Sequence, residues 1–256
     1  MALAHAHNLT VTAHHVDHQI RPESGAESER ARSIAQQIGV EFVLHTVSVE
    51  AGPNLEARAR LARKSVLSVE VMTGHTLDDQ AETVLIRLLR GSGSDGLASI
   101  RPGYRHPILA LRRSETEAVC TSLGIEPVRD ASNRSGDMWR NRIRAELLPL
   151  AADIAGRDLA PILARSADLL RDESRFLDDL AADLEATDAK QLAAAEPVLA
   201  RRAIRRWLTV DGYPPDAASV ERVLAVARGD SIACELPGGR RVERSHQHFR
   251  IIEPER

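Results

Sequence analysis

The sequence predicts an α/β domain, in which helices cover a parallel sheet, followed by a smaller, mainly helical domain that ends in a short β-hairpin. Strand-like and helix-like segments alternate in the first half of the chain, which is typical of a parallel sheet. Helical periodicity dominates from Trp139 to about Leu208, and β-like character returns near the C-terminus. This change of pattern predicts one domain over residues 1–148 and a second over residues 149–256.

The predicted strands are short and rich in β-branched and other apolar residues. The C-terminal hairpin is predicted from Ile232–Leu236, the turn Pro237–Gly239 and Val242–Ile252. The strands predicted in the first half are Leu9–Ala13, Val40–Val49, Val69–Thr73 and Pro107–Leu109.

The helices between these strands are predicted from capping signals and apolar spacing. Ser24-x-x-Glu27 and Thr76-x-x-Asp79 are capping-box patterns, and apolar residues on one helical face follow each of them. Gly39 and Gly91 stand where a glycine usually ends a helix. Two further helices are predicted from Asn54 to about Ser68 and from Ser114 to Leu123.

Composition excludes several classes of protein. The chain is 43% apolar, which is enough for a buried core, and its net charge of −3 does not by itself indicate nucleic-acid binding. Cys120 and Cys234 stand far apart without a CxxC spacing, which argues against a disulfide framework and suits a reducing compartment. Neither a signal peptide nor a bilayer-spanning apolar run is recognisable, so we expect a cytoplasmic protein without a membrane partner.

Two polar clusters directly follow predicted strands. They are His14–His18 and His75–Asp79, and each combines histidine with aspartate. Ligands of open parallel sheets bind at the carboxyl ends of the strands, so both clusters are expected to line one crevice. In the alternative interpretation, Asp78 and Asp79 are only first-turn carboxylates, which the helix dipole stabilises by about 0.3–1 kcal/mol each.

Arginine accounts for nearly all of the basic side chains, since only two of the 34 basic residues are lysine. Arg140 and Arg144 lie one helical turn apart, with Asn141 between them. These clusters predict contacts with the phosphates of a nucleic acid, although an ordinary solvated helix face is the alternative. Further clusters are formed by Arg201, Arg202, Arg205 and Arg206, and by Arg240, Arg241 and Arg244.

The order and spacing of several segments over residues 11–150 resemble the tRNA(Ile)-lysidine synthetase family. The most specific segment is Gly74–Thr83, with the sequence GHTLDDQAET. The helical region and the Leu236–Gly239 tail also resemble the second domain of that family. The other segments are His15–Arg21, Glu56–Arg63, Arg90–Gly93, Pro107–Leu109, Arg113–Glu115, Asp130–Asn133 and Arg140–Arg144.

The resemblance implies an N-type ATP pyrophosphatase fold of the PP-loop superfamily, here without its first strand. It implies a ligase that uses ATP and Mg²⁺ to adenylate the wobble cytidine of the isoleucine tRNA with a CAU anticodon. The ε-amine of free L-lysine then displaces AMP from C2 of that base. A homodimer is left open.

The resemblance also implies roles for individual residues. Asp78, Asp79 and His75 are expected to be catalytic, with Mg²⁺ on Asp78 or Asp79. His15, Asp17, His18, Arg21 and Arg113 are expected to bind the nucleotide, and Arg140, Asn141, Arg144, Arg201, Arg202 and Arg205 the tRNA.

The sequence departs from the family pattern in three places. It contains no Ser-Gly-Gly-x-Asp-Ser phosphate loop, Gln19 replaces a usual glycine, and Lys64 replaces a usual tyrosine. We therefore expect the chain as given to be N-terminally truncated and inactive in ligation. The alternatives are an inactive relative that binds tRNA and a metal-dependent phosphohydrolase that uses the His/Asp clusters as ligands.

Overall fold

A computed structural model describes the fold of the 256-residue chain. The described part excludes residues 3, 5–7, 20–23, 50–54, 127–137, 211–212 and 255–256, together with the side chains of residues 56, 57, 60 and 138.

The described residues form two compact units. The first comprises residues 1–92 and 99–166, and the second residues 93–98 and 167–256. This division into compact units does not test the domain boundary predicted near residue 148, which stays a prediction.

Helices dominate the described chain, and strands occur near both ends of it. From the N-terminus the elements are β1 (Thr12–Asp17), α1 (Ser24–Ile38), β2 (Glu41–Thr46), α2 (Leu55–Val66), α3 (Leu77–Leu89), the short α4 (Ser94–Leu97), α5 (Arg113–Ser122), α6 (Met138–Arg142), a π-helix (Ile143–Leu147), α7 (Leu148–Ala155) and α8 (Ala160–Leu180). They continue with α9 (Ala189–Ala194), α10 (Pro197–Leu208), α11 (Ala217–Arg228), β3 (Ala233–Glu235), a 3₁₀ turn (Pro237–Gly239), β4 (Arg241–Ser245) and β5 (His248–Ile252).

The sheet of the first unit is parallel, as predicted, and its described part consists of β1 and β2. Their register runs from Thr12 opposite Glu41 to Asp17 opposite Thr46. Helix α1 connects the two strands and packs on both, which is the crossover that a parallel pair requires. The predicted fold class is confirmed in outline, and the first strand lies a few residues later than the predicted Leu9–Ala13.

Two of the predicted strands are wrong. Val69–Thr73 and Pro107–Leu109 lie in irregular structure and turns. A backbone hydrogen bond links the end of the first segment to a residue just before the second: Thr73 N–H donates to Arg105 O at 2.8 Å. Val69 is 79% exposed, so the apolar run that predicted a buried strand is only partly buried. Pro107 has no N–H to donate, and Leu109 N bonds locally to His106 O.

The second unit has its own core, built from α9, α10, α11 and the C-terminal strands. It contains mainly aliphatic side chains and one aromatic ring, Phe249, which stacks on Trp207 with the ring centroids 6.0 Å apart. Ile204 and Val223 are fully buried within it. Aliphatic packing of this kind is what the low aromatic content of the sequence requires.

The C-terminal sheet is antiparallel and has the order β3-β4-β5. It contains one strand more than the predicted hairpin, because a turn at His246–Gln247 divides the predicted segment Val242–Ile252. Both turn residues have positive φ, 49° and 66°, which matches a tight two-residue connection between antiparallel strands.

Each unit carries one of the two lysines on a helix surface. Lys64 is exposed on α2, and Lys190 is exposed on α9. In the part of the chain that the structure describes, no helix has the length and apolarity to cross a membrane.

Candidate active site

Helix α3 begins with the capping box that the sequence predicts. The backbone N–H and the hydroxyl of Thr76 both donate to Asp79 Oδ2, at 2.8 Å each. Burial opposes ionisation of Asp79, but these two bonds and the charge of Arg113 outweigh it, so the pKa of Asp79 lies below its usual value. The Asp79 carboxylate therefore stays ionised and fixed at the helix N-terminus.

Asp78 is held by the two arginines that precede and begin α5. Arg112 contacts it through Nη2 at 2.8 Å and Nε at 3.2 Å, and the backbone N–H of Arg113 donates to Asp78 Oδ2 at 2.7 Å. Burial raises the pKa of Asp78, and the bonds from Arg112 and Arg113 lower it by more, so the net shift is downward. Arg112 also pairs with Asp158.

Glu82 lies one turn after these aspartates and is the most buried carboxylate of the site, with 1% of its side chain exposed. Arg144 makes a bidentate contact with it, Nε to Oε1 at 2.7 Å and Nη2 to Oε2 at 2.9 Å. Arg113 Nη2 bridges Glu82 Oε1 at 3.2 Å and Asp79 Oδ1 at 3.0 Å. Arg140 is an outer partner, its Nε 3.8 Å from Glu82 Oε2.

These residues line a cleft of about 210 Å³ in the first unit. Its lining combines charged side chains with apolar ones. The cleft is smaller than most small-molecule sites, about 300–1,000 Å³, so it suits one charged group of a ligand rather than a whole nucleotide. The lining residues are Asp78, Glu82, Arg112, Arg113, Arg144, Leu148, Pro149, Ala152, Asp158, Leu159 and Ala160.

His75 lies directly before the helix cap and contacts two polar side chains. Its Nδ1 is 2.7 Å from Thr73 Oγ1 and 3.3 Å from the Nδ1 of His106. The predicted site residues His75, Asp78 and Asp79 thus belong to one continuous segment whose side chains are all held by hydrogen bonds.

The segment His15–His18 lies at and just after the end of β1. The ring of His15 stacks on Phe42, and Asp17 Oδ1 accepts a hydrogen bond from the backbone of Gln19 at 2.8 Å. Burial, followed by the charge of Arg63, lowers the pKa of His18. His18 Nδ1 is buried without a hydrogen-bond partner in the described structure. The prediction that this segment and His75–Asp79 line one crevice stays a prediction.

Gln19 occupies a backbone conformation that favours glycine, with φ of 52°. This position is the one where the sequence departs from the glycine of the family pattern. The predicted site residue Arg21 and the segment Asp130–Asn133 lie outside the described residues.

The arginines predicted to contact tRNA are largely engaged within the protein. Arg144 and Arg140 face Glu82, and the Nδ2 of Asn141 is buried without a hydrogen-bond partner among the described residues. In the second unit each predicted arginine has an acidic partner in the same unit. The pairs are Arg201 Nε with Glu221 at 2.6 Å, Arg202 Nη1 with Asp178 at 2.5 Å and Arg205 Nη2 with Asp95 at 3.6 Å.

Sequence reasoning left Glu82, Arg112 and Thr73 out of the predicted site. Glu82 could have been found, because it lies four residues after Asp78 and three after Asp79 and therefore shares their helix face. Arg112 and Thr73 carry no such signal, since loops bring them to the site.

Comparison with known proteins identifies the family. Residues 1–151 match the model of the PP-loop domain, and residues 188–249 match that of the TilS substrate binding domain. The chain is 42% identical to the tRNA(Ile)-lysidine synthase of Nocardia farcinica over 219 residues, which are 79% of this chain and 69% of the relative.

Two further relatives have the same name. The Rhodococcus erythropolis protein is 40% identical over 227 residues, covering 82% of this chain and 70% of its own, and the Cutibacterium acnes protein is 37% identical over 246 residues, covering 88% and 76%. With matches of this length in both units, the chain belongs to the tRNA(Ile)-lysidine synthase family.

Proposed function

We propose that this protein is a ligase that joins L-lysine to C2 of the wobble cytidine in the isoleucine tRNA with a CAU anticodon. ATP adenylates the C2 carbonyl oxygen and releases pyrophosphate, and the ε-amine of lysine then attacks C2 and expels AMP. Membership of the family, with its PP-loop domain, supports the use of ATP. The observation that carries the proposal is the ion-paired cluster of three carboxylates, Asp78, Asp79 and Glu82, on one face of α3.

The low pKa of Asp78 and of Asp79 limits what these residues can do. A carboxylate that stays ionised at neutral pH is a weak base, so neither is suited to remove a proton from the lysine ammonium group. Both hold arginines in place for a phosphate, and either could pair with the lysine cation only if an arginine moves aside. His75 is the neighbouring side chain whose type titrates near neutral pH, and we assign it the role of proton acceptor.

The arginines at the cleft supply the opposite charge. Arg113 and Arg144 are fixed by Glu82, and a guanidinium that is already oriented loses little side-chain entropy when it binds phosphate. We propose that they face the phosphates of ATP or of the tRNA. A phosphate would compete with Glu82 for part of their hydrogen bonds.

Magnesium on Asp78 or Asp79 stays a proposal to which no chemical step is assigned. All four carboxylate oxygens already accept hydrogen bonds, and arginines lie beside both groups. No group of three metal-binding side chains occurs among the described residues. Mg²⁺ usually retains water and binds through one or two carboxylates together with substrate phosphates, so its binding here would require an arginine to move.

The second unit is proposed to bind the tRNA, and its family match supports this. Arg202 is the least suited of the predicted contacts, because its side chain is 13% exposed and it also donates to Ser174. Arg201 and Arg205 are roughly half exposed, so each can exchange its carboxylate partner for a phosphate at little cost. A homodimer is also retained as a proposal, and sedimentation velocity would test it.

The test is incorporation of radiolabelled lysine into a tRNA(Ile) transcript in the presence of ATP and Mg²⁺. The chain as given, which lacks the Ser-Gly-Gly-x-Asp-Ser motif, is expected to label no transcript. We expect a form of the protein that carries this phosphate loop to label the CAU transcript and not one whose wobble cytidine is replaced by uridine. Asp78→Asn should lose at least about 2.7 kcal/mol of transition-state stabilisation, about a hundredfold in rate, while tRNA binding survives. Asp153→Asn is the control, because Asp153 is an exposed carboxylate on α7.

The other outcomes separate the alternatives. Specific tRNA binding without lysine incorporation, even by the form that carries a Ser-Gly-Gly-x-Asp-Ser loop, would indicate the inactive relative. Metal-dependent release of phosphate in the absence of tRNA and lysine would indicate a phosphohydrolase. Full incorporation by Asp78→Asn would remove Asp78 from the site.

A further inference from the structure

Three polar side chains meet next to the cap of α3. The hydroxyl oxygen of Thr73 lies 2.7 Å from His75 Nδ1 and 2.8 Å from His106 Nδ1, and the two ring nitrogens are 3.3 Å apart. The rings are T-shaped, with their centroids separated by 5.1 Å. The bond from Thr73 N to Arg105 O joins the same two segments. Side chains and backbone therefore hold this triad together.

The positions of the protons follow from the geometry. Thr73 has one hydroxyl proton, so it can donate to only one of the two Nδ1 atoms. The other Nδ1 must then carry a proton of its own and donate to the Thr73 oxygen. Consequently, one ring has its proton on Nδ1 and the other has it on Nε2, and each ring is restricted to a single tautomer.

We propose that Thr73 and His106 are positioning residues that fix the tautomer and the orientation of the His75 ring. The triad uses Nδ1 of His75, so the ring meets a ligand through Nε2. The consequence for turnover rests on the proposed function, in which His75 accepts a proton. Orientation of a histidine by a hydrogen bond at its second nitrogen is a general way of setting its reactivity.

The surroundings of His106 favour this arrangement. Burial lowers its pKa most, and the charges of His75 and Arg105 lower it further. His106 is therefore neutral near pH 7 and can accept the hydroxyl proton of Thr73 at Nδ1, with its own proton on Nε2. His75 then donates its Nδ1–H to the Thr73 oxygen and keeps Nε2 unprotonated, as its proposed role requires. A doubly protonated His106 would donate its Nδ1–H to Thr73, so it could no longer accept the hydroxyl proton of Thr73.

Nitrogen-15 NMR of histidine side chains in the whole chain tests the positioning directly, since it distinguishes Nδ1–H from Nε2–H. We expect two rings with complementary single tautomers in the wild type, assigned by their loss in His75→Gln and His106→Phe. Thr73→Val removes the hydroxyl at nearly constant shape and should return both rings to the ordinary mixture of tautomers. Thr73→Ser keeps the hydroxyl and should restore the wild-type pattern.

Circular dichroism verifies that each variant is folded. Fixed complementary tautomers in a folded Thr73→Val protein would overturn the proposal. In the lysine-incorporation assay, Thr73→Val and His106→Phe should lower kcat by about tenfold with little change in KM, as is common when an orienting partner is removed. If the tautomers change but turnover does not, the positioning stands and the role given to His75 in the proposed function fails.

Discussion

At the scale of single residues, Glu82 is the feature that the sequence least revealed. A glutamate inside an amphipathic helix is usually exposed. The spacing of Glu82 places it on the helix face of Asp78 and Asp79 but does not show that it is buried. Its burial depends on Arg113 and Arg144, which lie 31 and 62 residues away in sequence. Asp78 and Asp79 were predicted from the capping box at Thr76, a local signal that is confirmed, and from a preceding strand that is wrong. Sequence reasoning could not find a partner that only tertiary packing supplies.

Glu82→Gln tests how much this residue contributes to the free energy of unfolding. Gln keeps the shape of the side chain but leaves Arg113 and Arg144 without their buried counter-charge, so we expect the free energy of unfolding to fall by about 2–3 kcal/mol. Urea denaturation measures this change. The matched control is Glu146→Gln, which breaks a solvated contact with Arg142 and should leave stability unchanged. Equal effects of the two substitutions would contradict the structural weight given to Glu82.

At the scale of elements, helices were predicted better than strands. The start of α3 at Thr76 and the helix-ending glycines Gly39 and Gly91, with φ of 77° and 72°, all follow from local chemistry. Strand prediction needs knowledge of a partner, and the segments at Val69 and Pro107 have apolar residues without a pairing neighbour among the described strands. The short π-helix after α6, which contains Arg144, was not predicted from the sequence either.

The acidic start of α3 predicts a pH dependence of stability. The pKa of Asp79 is lower in the folded protein than its usual 3.8. The carboxylate therefore stabilises the fold above about pH 4, and this contribution is lost as the pH falls through the folded-state pKa. Asp79→Asn should cost about 1 kcal/mol at pH 7, typical of a capping interaction.

The difference between wild type and Asp79→Asn should shrink towards zero as the pH falls below 4. Urea unfolding between pH 7 and pH 3 measures it, with Asp153→Asn as the exposed control. A difference that stays constant with pH would show that the charge of Asp79 does not stabilise the helix.

At the scale of the whole molecule, the described chain forms two compact units, and the hydrophobic core of the second consists of its own residues. The change from alternating to helical patterning predicted two parts, because the period of apolar residues is readable in the sequence. The sequence did not predict that residues 93–98 belong to the second unit. Their placement depends on long-range contacts, such as the hydrogen bond from Arg202 to Ser94 at 3.3 Å.

Ile204→Ala tests whether the cores are independent. Ile204 is fully buried in the second unit, and removing its side chain should cost about 2–5 kcal/mol. Hydrogen exchange measured by mass spectrometry should become faster in residues 167–256 and stay unchanged in residues 12–46. An equal increase in both regions would show that the two units unfold together.

The placement of the two lysines has a practical consequence. Lys64 and Lys190 are exposed, one in each unit, and the sequence contains no other lysine. An amine-reactive fluorophore pair would therefore place one dye in each unit without any engineered cysteine. Energy transfer between the dyes would then report how the distance between the units responds to ATP, to lysine and to tRNA, each added in turn.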